Sequence, residues 1–487
     1  MALVERVLPS TPVRDLADHR ERCQGGRALE AARRTEASAV IDELVAAGLR
    51  GRGGAGFPTG VKWRTVLENR SEVLGTTVVV NAAEGEPGTF KDRTILRADP
   101  YSVLEGALVA AHVVGADDVV VALKATFVDE LQRVRAAVAE MADAGWTDGI
   151  DVHVFEGPAE YLYGEETALL EALAGRPPFP RIAPPYRRGV EEVVRDADEL
   201  DTGSGQAARV ELASDLDGNV VPPTLIDNVE TLANVPKIVL RGSEWFRSVG
   251  TAESPGTIVC TITGRVRRPG VAELAMGTTL REAIAEVAGG ARDGHEVRAV
   301  LPGVSNGLVP ADALDTPLTY EAMAVIGSGL GSAGYVVLDD ADDLVAVAAG
   351  VSRFLAVESC GQCRPCKDDG LEIAARLEAI AASSADEHDL DVLRDRAATV
   401  TDGARCNLAH QQQAVTVSLT RIGSRAIADH LSGQAEPAGP FVVAEIVDID
   451  DRGAIVDLGH ADKQPDWTYD EVDSGQAPAD RLAERRA

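Results

Sequence analysis

Residues 76–88, Thr76-Thr-Val-Val-Val-Asn-Ala-Ala-Glu-Gly-Glu-Pro-Gly88, determine the fold class that we predict for this chain. The β-branched residues Thr76–Val80 favour a strand, and a loop with two carboxylates follows it at once. Beyond the loop, the pattern predicts helices at 101–114 and 127–144 and strands at 118–123 and 151–155. Such alternation is typical of βαβ units around a largely parallel sheet. We therefore predict an α/β domain.

The composition of the 487-residue chain limits the classes of function. Its length allows about three domains. The net charge of −31 argues against nucleic-acid binding, which needs a basic surface. This acidity indicates either a solvated acidic surface or a negative patch that docks a basic partner. The sequence lacks both an apolar run of about 18 residues, which a membrane span needs, and a signal-peptide pattern. We expect a cytoplasmic protein without direct membrane insertion.

Four further regions differ in character from the α/β pattern. Residues 187–223 carry many charges, which indicates an exposed insertion. Residues 255–336 combine short predicted strands with one predicted helix, as in a small α+β domain. Residues 341–432 are mostly helical in pattern. Residues 437–487 form an acidic tail with one predicted hairpin, and its last twenty-five residues are polar enough to predict disorder.

Four of the six cysteines form a ligand pattern. Cys360, Cys363 and Cys366 have the spacing C-x2-C-x2-C, and 39 residues separate Cys406 from the third. Thiolates three residues apart can converge on one [4Fe–4S] cluster, with a fourth ligand from elsewhere in the fold. Zinc is the main rival, but its sites normally use paired C-x2-C units or added histidines, and His410 is the only nearby candidate. The spacing favours the cluster.

A glycine-rich loop follows the predicted helix at 37–48. Gly51-Arg-Gly-Gly-Ala-Gly56 fits G-x-G-x-x-G, although a helix and not a strand precedes it, unlike the usual dinucleotide fingerprint. Glycines let backbone amides approach a phosphate or a flat ring, and Arg52 and Lys62 supply cations. A plain structural loop is the alternative interpretation.

Two pairs of carboxylates are further candidates for ligand binding. Glu84 and Glu86 follow a predicted strand, at the end where α/β folds bind ligands, and could bond sugar hydroxyls. Glu165 and Glu166 open a predicted helix. Both pairs also have ordinary explanations. The first pair could consist of solvated loop charges, and the second could interact favourably with the helix dipole.

Five motifs, in order along the chain, together resemble the NADH-binding flavoprotein subunit of respiratory complex I and its relatives in NAD-linked hydrogenases and formate dehydrogenases. The matching segments are Gly48–Trp63, Asn81–Arg93, Gly164–Leu170, Asp227–Val235 and Glu358–Cys366.

The resemblance implies an α/β Rossmann-like FMN domain, a ubiquitin-like β-grasp (α+β) domain and a C-terminal helical bundle that carries the iron–sulfur cluster. The expected bounds are an N-terminal extension at 1–36, the FMN and NADH domain at 37–250, the β-grasp domain at 255–336, the helical domain at 341–432 and the tail at 437–487.

The same resemblance implies the cofactor-binding residues. Those expected at FMN are Gly51, Gly53, Gly54, Lys62, Asn81, Glu84, Gly85, Tyr161, Gly164, Asn228 and Thr231. Those expected around NADH are Phe57, Glu86, Glu165, Glu166 and Tyr186, of which Glu165 and Glu166 are the catalytic candidates. The implied [4Fe–4S] ligands are Cys360, Cys363, Cys366 and Cys406.

The activity implied is that of an NADH dehydrogenase subunit of diaphorase type. It oxidises NADH at FMN and passes single electrons through the cluster to a partner. Because the chain shows no second iron–sulfur motif, a thioredoxin-like [2Fe–2S] partner subunit within a larger electron-transfer complex is implied. Such a complex would hold the protein on the inner face of a membrane.

Several positions depart from the family pattern, chiefly on the nucleotide side. Ala83, Tyr163 and Ala183 replace a usual Asp, Cys and Lys, Asp227 replaces an Asn, and the stretch 187–223 is longer than expected. Two alternatives therefore stay open. One is an FMN and cluster subunit that uses NADPH or a protein donor, and the other is a relay that has lost nucleotide turnover.

Overall fold

A parallel four-stranded sheet forms the centre of the N-terminal half of the protein, which confirms the α/β prediction. The computed structural model describes residues 3–70, 75–181, 223–450 and 452–484. The strand order is β3–β2–β1–β4. The strands are β1 (Thr76–Ala82), β2 (Ala116–Lys124), β3 (Asp151–Gly157) and β4 (Thr224–Asn228).

Helices cover both faces of this sheet, which explains its continuous apolar strands. Val78 and Val80 of β1 join one apolar cluster, and Val79 joins another on the opposite face, with Tyr163 and Leu169. All three valines are fully buried. The helices are α1 (Leu16–Cys23), α2 (Arg27–Ala32), α3 (Ala37–Ala47), α4 (Thr59–Glu68), α5 (Lys91–Ala98), α6 (Pro100–Val114), α7 (Val128–Asp143), α8 (Glu166–Leu173) and α9 (Val229–Phe246, interrupted at Gly242).

Helices α6 and α9 pack closely because of one glycine. A Cβ atom at Gly106 would lie 2.1 Å from the carbonyl oxygen of Leu232. Any other residue would push the two helices apart. This contact places the N-terminus of α9, which directly follows β4, beside β1.

A second sheet follows, with five strands of mixed direction in the order β6–β5–β9–β7–β8. Its strands are β5 (Thr257–Gly264), β6 (Gly270–Ala275), β7 (Val297–Leu301), β8 (Val309–Pro310) and β9 (Gly334–Asp339). Helices α10 (Leu280–Ala288) and α11 (Tyr320–Val325) accompany it. Thr279 and Glu282 form a capping box that begins α10. This region is the small α+β unit that the sequence predicts.

The cysteine-containing region is helical. Its helices are α12 (Leu344–Glu358), α13 (Arg364–Ala381), α14 (Glu387–Thr399), α15 (Leu408–Ile422) and α16 (Ser424–Leu431). Cys360 lies between α12 and α13, Cys363 caps α13, and Cys406 immediately precedes α15. Helices α13 and α14 thus return the chain to the first three cysteines.

The described residues 463–484 of the C-terminal tail are ordered, contrary to the expected disorder, and they include α17 (Pro478–Glu484). Earlier in the tail, β10 (Ile446–Asp450) and β11 (Gly453–Val456) pair antiparallel as predicted. Lys463 and Asp466 are buried, and Trp467 Nε1 donates to the carbonyl oxygen of Val357 at 2.9 Å. The polar composition misled the prediction because Lys463 and Trp467 find partners in the helical region, and Asp466 finds partners within the tail itself.

The described helices include none with both the length and the apolar character that crossing a bilayer requires.

Candidate cofactor sites

The carboxyl ends of β1 and β4 form the candidate flavin-binding edge. The chain leaves β1 towards β2 and β3 and returns as β4 on the opposite side of β1. Ligands of open α/β sheets bind where the direction of the connections reverses in this way. Asn81 and Asn228 are partners in the register at this point. The sheet thus brings together two side chains that lie far apart in the sequence.

Both asparagines hold loops at this edge. Asn81 Nδ2 donates to the carbonyl oxygen of Gly164 at 2.9 Å. Asn228 Nδ2 donates to Asp92 Oδ2 at 2.7 Å, and its Oδ1 accepts from the backbone N–H of Glu230 at 3.0 Å. Asn228 therefore begins α9 and also fixes the segment after the acidic loop.

The glycine loop lies against the end of β4 and leaves one side open. A Cβ atom at Gly53 would lie 3.3 Å from the Cβ of Asn228. At Gly54 it would have no heavy atom within 4 Å, and φ there is +136°, a value that suits glycine. The backbone at Gly54 is therefore accessible to a flat ring or a phosphate. Binding of FMN requires such access to backbone N–H groups.

Arg52 does not serve as a free cation, contrary to the sequence interpretation. Its side chain is buried, and its guanidinium donates to the carbonyl oxygen of Thr257 at 3.0 Å and to Tyr320 Oη at 3.2 Å. Its backbone N–H donates to Thr231 Oγ1 at 2.8 Å. Arg52 thus ties the glycine loop to the second sheet, and Thr231 anchors the loop to α9.

Lys62 is a buried cation at this edge. Its Nζ lies 2.5 Å from Glu166 Oε1 and from the carbonyl oxygen of Ile226. Burial would lower the pKa of Lys62, but the attraction of Glu166 and Asp227 outweighs it and raises the pKa. Asp227 accepts from Trp63 Nε1 at 2.7 Å, and burial raises its pKa to about 6. The edge therefore holds a buried cation between two acids.

Glu84 belongs to a buried ionic network below the acidic loop. It accepts from the backbone N–H of Asp92 at 2.8 Å and from Arg93 Nε at 2.9 Å. Lys91 Nζ lies 2.7 Å from Asp92 Oδ1 and 3.0 Å from Glu230 Oε2. Burial raises the pKa of Asp92 to about 6. Because the protein itself occupies both oxygens of Glu84, this carboxylate shapes the loop instead of offering a free acceptor.

Lys91 and Asp92 were missed as candidate site residues by the sequence reasoning. Both are buried and contact Asn228, through Lys91 Nζ at 3.2 Å and Asp92 Oδ2 at 2.7 Å. The available signal was their position inside the motif Asn81–Arg93, in which only the asparagine and the acids of the loop were assigned.

Glu86 joins the acidic loop to the second sheet region. Its Oε1 accepts from the backbone N–H groups of Val304 at 2.8 Å and Ser305 at 3.0 Å. Its Oε2 accepts from Tyr161 Oη at 2.6 Å. Burial raises the pKa of Glu86, and these donors oppose the rise.

The 3-10 turn Tyr161–Gly164 lies between the two candidate sites. Tyr161 Oη contacts Gln411 of α15, whose Nε2 lies 3.1 Å away, and Leu162 lines the cysteine cavity. At its other end, Gly164 accepts from Asn81. Glu165 follows as the N-cap of α8 and accepts from the backbone N–H of Ala168 at 2.8 Å. One short turn thus contacts both the flavin edge and the cysteines.

The four cysteines line one cavity that opens to solvent, with Leu162 and Pro180 among its other walls. Cys360 and Cys366 are buried, and Cys363 and Cys406 are partly exposed. Burial raises the pKa of the Cys366 thiol to about 11 and that of Cys406 well above its usual value. Ligand formation at this site therefore releases protons, because a metal centre binds thiolates.

Donors surround the sulfurs, as expected for an iron–sulfur cluster. Ser359 Oγ lies 3.4 Å from Cys366 Sγ, and Gln362 Nε2 lies 3.5 Å from Cys360 Sγ. The backbone N–H of Leu408 faces Cys406. These contacts stabilise negative charge on the sulfurs.

The donor set fits a cluster better than a single zinc ion. Zinc sites normally use paired C-x2-C units or added histidines. Among the described residues, no histidine lines this cavity, and three of its cysteines have the spacing C-x2-C-x2-C. The donor set therefore suits [4Fe–4S].

The remaining predicted residues have different placements. Phe57 is buried and accepts through its carbonyl oxygen from the backbone N–H of Gly51 at 2.8 Å. Gly85 packs against Lys124, whose Nζ lies 2.7 Å from a Cβ position there. Tyr186 lies outside the described residues, as do Ala183 and nearly all of the stretch 187–223.

Three departures from the family pattern lie in the described residues around this edge: Ala83, Tyr163 and Asp227, whose contacts are given above. Ala83 is buried in the same apolar cluster as Tyr163. Tyr163 is fully buried, and its Oη donates to the carbonyl oxygen of Leu123 at 3.4 Å. The tyrosine side chain, which is larger than the usual cysteine, thus fills part of the apolar cluster beside the sheet.

Three family models match the chain. They are the Nuo51 FMN-binding domain over residues 44–237, the SLBB domain over residues 259–304 and the NADH-ubiquinone oxidoreductase-F iron-sulfur binding region over residues 346–430. Each match coincides with one of the three regions described above.

Curated relatives match over most of their length. The NADH-quinone oxidoreductase F 2 subunit of Rhizobium meliloti (strain 1021) is 39% identical over 366 residues, which are 73% of this chain and 80% of the relative. The NADH-quinone oxidoreductase F subunit of Rickettsia felis (strain ATCC VR-1525 / URRWXCal2) is 37% identical over 339 residues, covering 68% and 74%.

A solved structure also matches. A chain of the NAD+-reducing [NiFe]-hydrogenase in the H2-reduced state has a TM-score of 0.71 and 30% sequence identity to this protein. The match covers 87% of this chain and 65% of the hydrogenase chain.

Proposed function

The chain belongs to the family of NADH-quinone oxidoreductase F subunits, and on this premise we propose how its residues serve electron transfer from NADH. The protein is an NADH-oxidising subunit with FMN and a [4Fe–4S] cluster, and it takes part in a larger electron-transfer complex. We propose that electrons pass from the flavin edge, singly, through Cys360, Cys363, Cys366 and Cys406 to a partner subunit.

The position of the turn Tyr161–Gly164 carries this proposal. Gly164 accepts from Asn81 at the end of β1, and Leu162 lines the cavity of the four cysteines. Tyr161 Oη contacts both Glu86 of the acidic loop and Gln411 of α15. A single turn therefore separates the flavin edge from the cluster ligands, as electron transfer between them requires.

Bound FMN supplies the hydride-accepting chemistry, and the chain supplies positioning and charge. The open backbone at Gly54 gives access to the flavin. Lys62, held between Glu166 and Asp227, supplies the positive charge that a phosphate or a reduced ring needs. Asn81 and Asn228 hold the loops around the ring. The nucleotide is proposed to lie beside Phe57, Glu86, Glu165 and Glu166, with Tyr186 completing the set.

Three further glycines and Thr231 have supporting roles in this proposal. Gly51 lies against the backbone of Phe57, Gly53 lets the loop run against the end of β4 at Asn228, and Thr231 anchors the loop through the N–H of Arg52. Gly85 leaves room for Lys124 below the acidic loop. Glu84 holds Arg93 and the start of α5 in place.

The finer architecture is also proposed. We infer a Rossmann-like FMN domain over 37–250, a ubiquitin-like β-grasp domain over 255–336 that includes the SLBB match, and a helical bundle over 341–432. The parallel sheet, the five-stranded mixed sheet and helices α12–α16 support these assignments.

The partner is proposed to be a thioredoxin-like [2Fe–2S] subunit, because the chain offers one cysteine cluster and therefore needs an acceptor for single electrons. We propose a diaphorase-type activity with artificial acceptors, and a location on the inner face of a membrane through the complex.

An anaerobic titration tests the function. The FMN- and cluster-loaded protein is titrated with NADH and then with NADPH while the visible flavin absorption is followed. We expect stoichiometric bleaching by NADH and weaker bleaching by NADPH. If neither nucleotide bleaches a flavin that dithionite does reduce, NADH is not the donor. Preferential bleaching by NADPH would identify the other nucleotide as the donor.

A further inference from the structure

The end of the chain, which the family matches do not cover, packs directly on the cluster loop. The iron-sulfur match ends at residue 430. Residues 457–481, here called the C-terminal strap, contain a 3-10 turn at Leu458–Asp462 and the start of α17. His460 and Lys463 of the strap are buried although the segment is polar. Their partner is a single carboxylate.

Glu358 is that carboxylate, two residues before the first cysteine. It is 2% exposed. Its Oε1 accepts from His460 Nε2 at 2.8 Å and from Lys463 Nζ at 2.8 Å. Its Oε2 accepts from the backbone N–H of Tyr161 at 3.1 Å. Glu358 therefore joins the strap, the cluster loop and the turn beside the flavin edge.

The strap is fastened to the same loop at further points. The backbone N–H of Ala479 donates to the carbonyl oxygen of Cys360 at 2.9 Å. Ala477 fills the space beside Gly361, and Arg364 pairs with Asp480 at 2.6 Å. The strap thus contacts three residues of the C-x2-C-x2-C segment, namely Cys360, Gly361 and Arg364.

Without the strap, Glu358 would lose two hydrogen-bond donors and keep the backbone N–H of Tyr161 and the attraction of the nearby Lys367. A buried charge that loses partners is strongly unfavourable, so the loop would have to rearrange or admit water. Both changes would alter the surroundings of the cysteines. His460 and Lys463 of the strap are therefore part of the cluster's environment.

We propose that the C-terminal strap is a positioning element for electron transfer, in which His460 and Lys463 hold Glu358 so that Glu358 holds the turn Tyr161–Gly164 against the cluster loop. The proposal rests on the proposed function for its route from flavin to cluster. The part of the proposal that concerns the midpoint potential of the cluster does not depend on that route.

The charges predict shifts of opposite sign in the midpoint potential of the cluster. Negative charge near a cluster disfavours its reduction, and hydrogen bonds and positive charge favour it. Glu358→Gln removes an anion and leaves the Lys463 cation, so the potential rises. Lys463→Met removes a cation and leaves the anion, so the potential falls. A merely structural contact would not produce two opposite shifts.

The test uses the full-length, FMN- and cluster-loaded protein. The midpoint potential is measured by mediated titration with dithionite, followed by EPR of the reduced cluster, and does not require NADH. Lys463→Arg, which keeps the charge and a donor, should retain the wild-type potential. Val472→Ser changes an exposed strap residue and serves as the matched control.

Cluster retention is the second readout. Lys463→Met should lose iron to a chelator about tenfold faster than the wild type, because residues that support metal ligands typically contribute this much. In the same variant, NADH should bleach the flavin at the wild-type rate, but the cluster should then be reduced more slowly than in the wild type. If Glu358→Gln and Lys463→Met leave potential, iron loss and cluster reduction as in Val472→Ser, the proposal is wrong. If the wild-type flavin is not bleached by NADH, only the proposed function fails.

Discussion

The flavin edge and the cluster site are built in different ways. At the cluster site, four side chains of one kind line one cavity, and three of them lie within seven residues of sequence. At the flavin edge, by contrast, backbone groups of a glycine loop meet side chains that already pair with the protein itself, such as Glu84 and Lys62. The cluster site therefore depends on individual ligands, whereas the flavin edge depends on a network. Four substitutions test this difference.

The largest effect is expected from Cys406→Ser. It removes the ligand that α13 and α14 bring back to the first three cysteines, and a cluster cannot keep four thiolate ligands without it. We expect loss of the intact [4Fe–4S] signal in EPR and in iron and sulfide analysis. The flavin content should stay at the wild-type level, because the flavin edge shares no ligand with the cluster. Cys23→Ser, at an isolated and partly buried cysteine, is the control.

A large effect is expected from Lys62→Met at the flavin edge. The variant loses the only positive charge held between Glu166 and Asp227 in the described residues and leaves these acids without their cation. A hydrogen bond to a charged group contributes about 1.5–3 kcal/mol, so FMN affinity should fall about 10- to 100-fold. Fluorescence titration of the apoprotein with FMN measures this change.

Lys237→Met, at a partly buried lysine on α9 away from the edge, serves as a control for the loss of a lysine. Undiminished FMN affinity in Lys62→Met would mean that the network does not depend on its cation. The proposed difference in construction between the flavin edge and the cluster site would then be weaker.

A moderate, pH-dependent effect is expected from Asp227→Asn. Burial raises the pKa of Asp227 from 3.8 to about 6, so the folded state binds its proton more tightly than the unfolded state. Stability is therefore lost as pH rises from about 4 to about 6, by at most about 3 kcal/mol for this shift. The asparagine keeps an acceptor for Trp63 and avoids the buried charge.

The thermal unfolding midpoint of Asp227→Asn should therefore exceed that of the wild type at pH 8, and the difference should shrink towards pH 4. Glu253→Gln, at an exposed acid, controls for the loss of one negative charge. A difference that does not depend on pH would contradict the buried-carboxylate explanation.

The smallest effect is expected from Ser359→Ala at the cluster site. It removes the hydroxyl that lies 3.4 Å from Cys366 Sγ without removing a ligand. Because a donor to sulfur favours the reduced cluster, the midpoint potential should fall slightly, with unchanged iron content. Ser384→Ala, at an exposed hydroxyl beyond the end of α13, is the control. An equal shift in both variants would show that the contact at Cys366 has no specific role.

Much of the protein followed from the sequence. The alternation after Thr76–Val80 predicted the parallel sheet, because side-chain patterns of period 2 and 3.6 reflect local geometry. The C-x2-C-x2-C spacing predicted the cysteine cavity, because three ligands in one loop need only local chain folding. The ordered motifs predicted the family. The assignment of Arg52 as a free cation was wrong, because its partners, Thr257 and Tyr320, lie more than two hundred residues away.

The tertiary structure alone decided which charged groups are free and which are already paired. Sequence patterns show that Lys91, Glu84 and Glu358 are charged, but whether each finds a buried partner depends on elements that meet only after folding. The clearest example is the strap. Its residues from Lys463 onward have a polar composition that predicts disorder, yet Lys463 is buried against Glu358, about a hundred residues earlier in the chain. A local pattern cannot encode such a pairing, because the free energy of a buried charge is set by the partner that the fold delivers to it.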